Sequence, residues 1–272
     1  MGDFGEQTSV HGSDGRYTAT LSRDWEIWGP NGGYVAAIAL RAAGAASRLP
    51  RPASFACHYL NVAAFADVQI DVTPLRAAKR AESLRVSIAQ GDRRILEAIV
   101  WTGDEVPGLE HDHAEFPDVP SHRDLRPIEE LLPEGEQLFR FWDNFDRKPV
   151  KFMTRETMEP GEPVFREWIR FRPQATFADP FTDAARSLLL IDTMIWPAAW
   201  RANGDSGFVA PSLDCVAQFH QAAPSESWLL VDAQAPVARH GLVGGQATVW
   251  TEDGRLLASG SSQLLCRPAP AS

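Results

Sequence analysis

Asp214 stands in the run Leu213-Asp214-Cys215-Val216, a carboxylate among apolar strand residues. Loss of water there favours the protonated form and makes the ionised group a better base, so Asp214 is a candidate for activating a water molecule. The ordinary alternative is a strand-end Asp satisfied by backbone N–H groups. Ser262 and Gln263 are placed in sequence to orient such a water, or else they form the polar face of a strand. A second feature is WGPNGGYVAAIALRAAGAAS, Trp28 to Ser47, where Pro30, Asn31, Gly32 and Gly33 make a turn and a helix start ahead of Tyr34. The glycines leave the first amides of that helix unshielded, so a polar ligand or a developing oxyanion reaches donors and the positive end of the helix dipole together. A glycine-rich turn into a core helix is the plain alternative. Base, oriented water and oxyanion donors are the parts needed for water attack on a carbonyl. Lys79 and Arg80, with Arg76 and Arg85 nearby, and Arg239 and His240 in the second half, are basic residues suited to phosphates, although exposed hairpin charges are the commoner explanation. His58, alone in an apolar strand, reads as a core residue. Glu110, His111, Asp112, His113 and Glu115 have metal-ligand chemistry, but adjacent ligands in a flexible acidic stretch cannot be aimed, and no metal or cofactor is expected.

The elements that must position these groups follow from the apolar pattern. From Tyr34 to Ser47 the only charge is Arg41, so the helix must be enclosed by a curved sheet or a second subunit. Arg16 to Trp28 alternates as one or two strands before it. Ala53–Ala64, Asp67–Thr73, Ser83–Gln90 and Arg94–Thr102 alternate after it, with Gly91-Asp92 as a hairpin turn. Residues 103–138 turn to Pro, Asp, Glu and His and lose periodicity, which marks a solvated linker. The pattern then recurs. Val164–Arg172 is a strand, Asp183–Ala202 carries SLLLIDTMIWPAAW with Asp192 its sole charge and Pro197 set to kink or end it, and strands follow at Pro211–Ala223, Trp228–Gln234, Gly241–Trp250 and Arg255–Cys266. Placing Tyr59 on Phe219, an offset of 160, sets Asn61 on Gln221, Ala63 on Ala223 and Val68 on Trp228. This is an α+β chain with an internal duplication of about 130 residues: 10–107, a linker at 108–138, and 139–272.

Composition excludes several classes. A chain of 272 residues, 44% hydrophobic with 9 Trp and 14 Phe, has ample material for a core, while a net charge of -10 argues against nucleic acid or an anionic membrane. Cys57, Cys215 and Cys266 are odd in number and lie in apolar runs, as in a reduced cytoplasmic protein. The first residues carry no signal-peptide pattern, no run reaches a membrane span, and Glu6 occupies the position where myristoylation after Gly2 wants Ser or Thr.

Two sheets each wrapped around one long buried helix make a double hotdog. WGPNGGYVAAIALRA, PSLDCVAQFH with its following WLL, and DGRLLASGSSQLL resemble the thioesterase-like superfamily, close to acyl-CoA thioesterase II, and the likeness runs over nearly the whole chain outside the linker. The resemblance implies an acyl-CoA thioesterase of lipid metabolism that hydrolyses the thioester to acid and CoA, and the unpaired outer strands expected of the two sheets point to a homodimer. It places Asp214 on the family's catalytic aspartate, acting with a Thr and a Gln on the attacking water. Counting from Trp228, the Thr position falls at Ala235-Pro236, which has no hydroxyl. Counting from Arg267, the Gln position falls on Ser262, with Gln263 one residue away and so on the other strand face unless a bulge re-aims it. A non-catalytic acyl-CoA or lipid-binding protein that kept the fold is the alternative; a hotdog hydratase would want an Asp-His pair near one helix, which the sequence does not offer. Each half holds what the other lacks, since Ser54 is the counterpart of Asp214 and the glycine pair occurs only at the first helix, so one site per chain is expected between the halves.

Overall fold

The structure is a computed structural model and describes residues 1–136, 138–153, 160–204 and 206–269. A short helix, α1 (Phe4–Gln7), and two strands, β1 (His11–Ser13) and β2 (Arg16–Thr20), lead to the glycine-headed helix α2 (Gly32–Ala46). Four antiparallel strands follow: β3 (Arg51–Tyr59), β4 (Asp67–Ala77), β5 (Ala81–Gln90) and β6 (Arg93–Gly103). The second half repeats this order with β7 (Phe145–Pro149), β8 (Val164–Phe171), helix α3 (Pro180–Asn203), β10 (Asp214–Phe219), β11 (Leu229–Arg239), β12 (Leu242–Trp250) and β13 (Leu256–Leu265). The short strands β9 (Phe208–Val209) and β14 (Arg267–Pro268) pair only with each other.

All other strands form one twelve-stranded antiparallel sheet in the order β1-β2-β4-β5-β6-β3-β10-β13-β12-β11-β8-β7. The two halves therefore meet edge to edge through β3 and β10. Their register carries the duplication, because Ala56 faces Val216, a separation of 160 positions, and residues on either side pair symmetrically about that point. The alternation of apolar residues on each strand puts one face of this sheet against both helices. Helix α2 is buried nearly all round, as its composition requires. Helices α2 and α3 lie against each other in opposite directions: an added Cβ on Gly33 would touch Leu189, and one on Gly44 would touch the ring of Phe181. Glycines at these positions let the two backbones approach.

Three expectations change. Helix α3 does not end at Pro197 but continues to Asn203, because packing on three sides outweighs the one hydrogen bond that a proline removes. Past Phe116, the linker is not merely solvated: Phe116, Val119 and Leu125 cover the outer face of the second sheet at Trp168, Leu230 and Trp250. His58 is exposed rather than part of the core, since it alternates with inward-facing Phe55 and Cys57. No helix among the described residues is long and apolar enough to cross a membrane.

Candidate active site

The only charge in the middle of α3, Asp192, meets the start of α2. Its carboxylate is buried, at 4% exposure, and Tyr59 donates its hydroxyl to Oδ1 at 3.0 Å. The Ser212 hydroxyl and the Gly33 backbone N–H also bear on the carboxylate and favour its anion. A Cβ on Gly32 would come within 2.9 Å of Asp192 Oδ2 and 3.2 Å of the Tyr59 ring, so only glycine brings the helix start this close to the carboxylate. Asn31 caps the helix by accepting from the Tyr34 N–H at 2.9 Å, and its Nδ2 donates to Thr193 Oγ1 at 3.1 Å, which ties the α2 start to α3.

Burial pushes the Asp192 carboxyl up to about 6, and the hydrogen bonds from Ser212, Tyr59 and Gly33 oppose that rise by favouring the anion. The positive end of the α2 dipole acts in the same direction as those donors. The result is a carboxylate that is ionised at neutral pH yet far more basic than an exposed one. Burial, and then the charge of Asp192, holds the Tyr59 phenol well above its usual range, so it remains a hydrogen-bond donor. The Gly33 amide bears on the Asp192 carboxylate. The Gly32 amide, first in the helix, has no acceptor among the described residues.

These groups open onto a cavity of about 970 Å³. Gly32, Tyr59, Asp192, Thr193 and Ser212 line one part of it, and Trp28, Phe139, Phe165, Trp196 and Trp200 give another part an aromatic wall. An apolar chamber with a few convergent polar groups suits a small ligand with one reactive polar end.

The structure distributes the sequence candidates differently. Asp214 does not line the cavity. Its Oδ1 accepts the Gln263 N–H at 2.8 Å and its carbonyl accepts the Ser262 hydroxyl at 2.6 Å, the backbone-satisfied arrangement that an Asp at a strand end often adopts. Gln263 lies on the outer side, because the β12–β13 register is regular through this region and its one shift falls at Val249/Trp250, so no bulge re-aims it. Ser262 faces inward but is spent on Asp214. Tyr34 points away from the cavity, stacking on Trp25 with ring centroids 5.3 Å apart and donating to the Gln7 carbonyl at 2.8 Å. Asn31, Gly32 and Gly33 are at the site. Lys79 and Arg80 sit in the exposed β4–β5 turn, beside Gly103, whereas the cavity touches β6 at its other end, at Ile95. Arg239 and His240 occupy the exposed β11–β12 turn, near the β13 end that contributes Leu264. Glu110, His111, Asp112, His113 and Glu115 are exposed in a segment without helix or strand, and no group of possible metal ligands gathers among the described residues.

Three site residues, Asp192, Tyr59 and Ser212, were not predicted as such. The signal for Asp192 was in the sequence: one carboxylate inside a helix too apolar to be anything but enclosed. Ser212, two residues before Asp214, had no comparable signal. The start of α3 offers no second such site, since its first residue, Pro180, has no N–H to give and the anionic Asp179 accepts from the Thr182 N–H at 2.7 Å.

Known proteins resemble this chain throughout. The acyl-CoA thioesterase N-terminal domain family matches residues 21–103 and the acyl-CoA thioesterase C-terminal domain family matches residues 112–266. Among solved structures, a hot dog fold protein from Alicyclobacillus acidocaldarius superposes with a TM-score of 0.81 at 19% identity, covering 98% of both chains. The TesB protein of Mycobacterium avium subs paratuberculosis gives 0.80 at 19% identity over 97% of this chain and 98% of its own. Acyl-CoA thioesterase II TesB2 from Mycobacterium marinum gives 0.75 at 19% over 99% and 98%. No curated protein matches the chain in sequence. The structural likenesses establish the double hotdog fold, and the two domain matches, which together span most of the sequence, establish that the chain belongs to the acyl-CoA thioesterase family and hydrolyses acyl-CoA thioesters.

Proposed function

We propose that Asp192, rather than Asp214, is the base of this hydrolysis. The observation that carries the reading is a buried carboxylate, held up to about 6, at the start of α2 and on the wall of the cavity. A water placed between Asp192 and the thioester carbon gives its proton to the carboxylate as its oxygen bonds to carbon. The carbonyl oxygen becomes an oxyanion, which the free Gly32 amide and the α2 dipole stabilise. Collapse of the tetrahedral intermediate breaks the C–S bond, and the CoA thiolate leaves and recovers the proton. Tyr59 and Ser212 act as positioning residues that fix the carboxylate, and the aromatic chamber holds the acyl group.

Lys151 and Arg201 border the cavity and, with Arg239 and His240 at the adjacent sheet end, are better placed for the phosphates of CoA than Lys79 and Arg80. Among the described residues the edges of β1 and β7 at the two ends of the sheet are unpaired, which favours a homodimer. Three free cysteines, two of them facing each other across β3 and β10, suit a reducing cytoplasm and a role in lipid metabolism there.

The test is release of free thiol from short-, medium- and long-chain acyl-CoA. Asp192→Asn should keep the fold and lower turnover by about a hundredfold or more. Unchanged turnover in that variant would remove Asp192 from the mechanism, and binding without thiol release by the wild type would favour a non-catalytic acyl-CoA carrier.

A further inference from the structure

The aromatic chamber contains a charge pair that thioester hydrolysis does not use. Glu167 on β8 and Arg147 on β7 both face inward, in positions where the alternation of these strands otherwise supplies Phe145, Ile169 and Phe171. Glu167 is 0% exposed and Arg147 7% exposed, and both line the cavity. Arg147 donates through Nε at 3.1 Å and Nη2 at 2.9 Å, but both bonds go to the same oxygen, Oε2. The guanidinium is held in place over the Trp142 ring, 3.8 Å from its centroid. Among the described residues, Glu167 Oε1 has no hydrogen-bond partner.

Burying such a pair costs several kcal/mol per ion, and a well-packed apolar pair of similar volume would commonly be as stable or more so. Leaving one carboxylate oxygen without a donor adds to that cost. A chamber for a plain alkyl chain gains nothing from either feature. An acyl group with a hydroxyl or amide N–H of its own would satisfy Oε1 and be selected by it, because a site built to hydrogen-bond a group discriminates against the analogue that lacks it.

We propose that the acyl group this protein takes carries a hydrogen-bond donor, such as a chain or ring hydroxyl, that binds Glu167 Oε1 in the Arg147–Glu167 pair of the cavity wall. The proposal rests on the acyl-CoA reading and names its substrate class. It is tested with two matched pairs of probes, decanoyl-CoA against 10-hydroxydecanoyl-CoA and phenylacetyl-CoA against 4-hydroxyphenylacetyl-CoA. Each is measured as kcat/KM for the wild type and as Kd by calorimetry on the Asp192→Asn protein. A charge-assisted hydrogen bond predicts that the hydroxylated member is favoured by about tenfold or more in at least one pair, in both measurements. Glu167→Gln should shrink that ratio to below about threefold, and the double change Arg147→Leu with Glu167→Leu, which removes both charges and leaves neither unpaired, should abolish it. Ratios near one in both pairs would overturn the proposal and indicate that water satisfies Oε1. A preference that survives in both variants would also overturn it. Failure of the wild type to release thiol from any of the four probes would instead count against hydrolysis, while the Kd ratios would still decide the present point.

Discussion

Asp192 is placed where it costs stability, and this gives its proposed role a signature separate from turnover. Its folded-state value, about 6, lies above the ordinary carboxylate range, so the folded protein binds the proton more tightly than the unfolded chain does. The associated stability is fully present below the ordinary range and is lost as pH rises through about 6. A shift of about two units corresponds to about 3 kcal/mol. Asp192→Asn should therefore raise the unfolding midpoint at about pH 8 relative to the wild type and lose that advantage near about pH 4, as denaturant titrations at the two pH values would show. For the wild type, kcat/KM should rise with pH through about 6 and level off above it, since the base must be unprotonated. Asp214 is the contrasting case. Its carboxylate holds β13 to β10 just where regular pairing gives way to the single bridge between Ser212 and Leu264, and so it supports Ser212. Asp214→Asn retains an acceptor oxygen and should reduce turnover by less than about tenfold, well short of the loss in Asp192→Asn; equal losses in a side-by-side assay would reinstate Asp214.

At the scale of elements, the site exists because α2 begins on the flank of α3, and adjacent glycines make that possible in different ways. A side chain at Gly32 would press on the Asp192 carboxylate and the Tyr59 ring, whereas one at Gly33 would press on the Leu189 backbone, at 2.8 Å from both Cα and the carbonyl oxygen. Backbone cannot rotate aside as a side chain can. Gly32→Ala should thus lower kcat by about tenfold or more with little change in unfolding midpoint, while Gly33→Ala should cost about 1–3 kcal/mol because the helices must separate. Thermal unfolding and thiol-release assays on the two variants would show whether the effects divide in this way. The second helix needs no such opening. Its buried Arg186 pairs with Asp183 and donates to the carbonyls of Ala175, Ala223 and Glu226, so that end of the pair is closed by polar structure.

Across the whole molecule, the two halves are related through the β3–β10 seam yet are not interchangeable. Tyr59, Gly32 and Gly33 come from the first half, Asp192 and Ser212 from the second, and neither half alone holds both the carboxylate and its donors. Ser54 takes the position in β3 that Asp214 takes in β10, opposite Gln218, and makes no contribution to the cavity. Ser54→Ala should leave turnover within about twofold of wild type, and a large loss would reveal a second working centre in the first half.

The sequence by itself determined the α+β order, the duplication at an offset of 160 and the two enclosed helices. Each is carried by local period or by apolar content, which a chain cannot satisfy in many ways. It also placed the glycine turn of α2 at the site. Which carboxylate lies against that turn was decided only by tertiary structure. Asp214 and Asp192 are both single charges in apolar runs; one lies on a strand end where a neighbouring strand's N–H satisfies it, and the other is on a helix whose partner helix starts beside it. That difference depends on contacts across 159 residues between Gly33 and Asp192, a juxtaposition without any local trace. The same is true of Arg147 and Glu167: strand alternation puts both on the inward face, and only the tertiary structure joins them as one pair in the wall of a cavity.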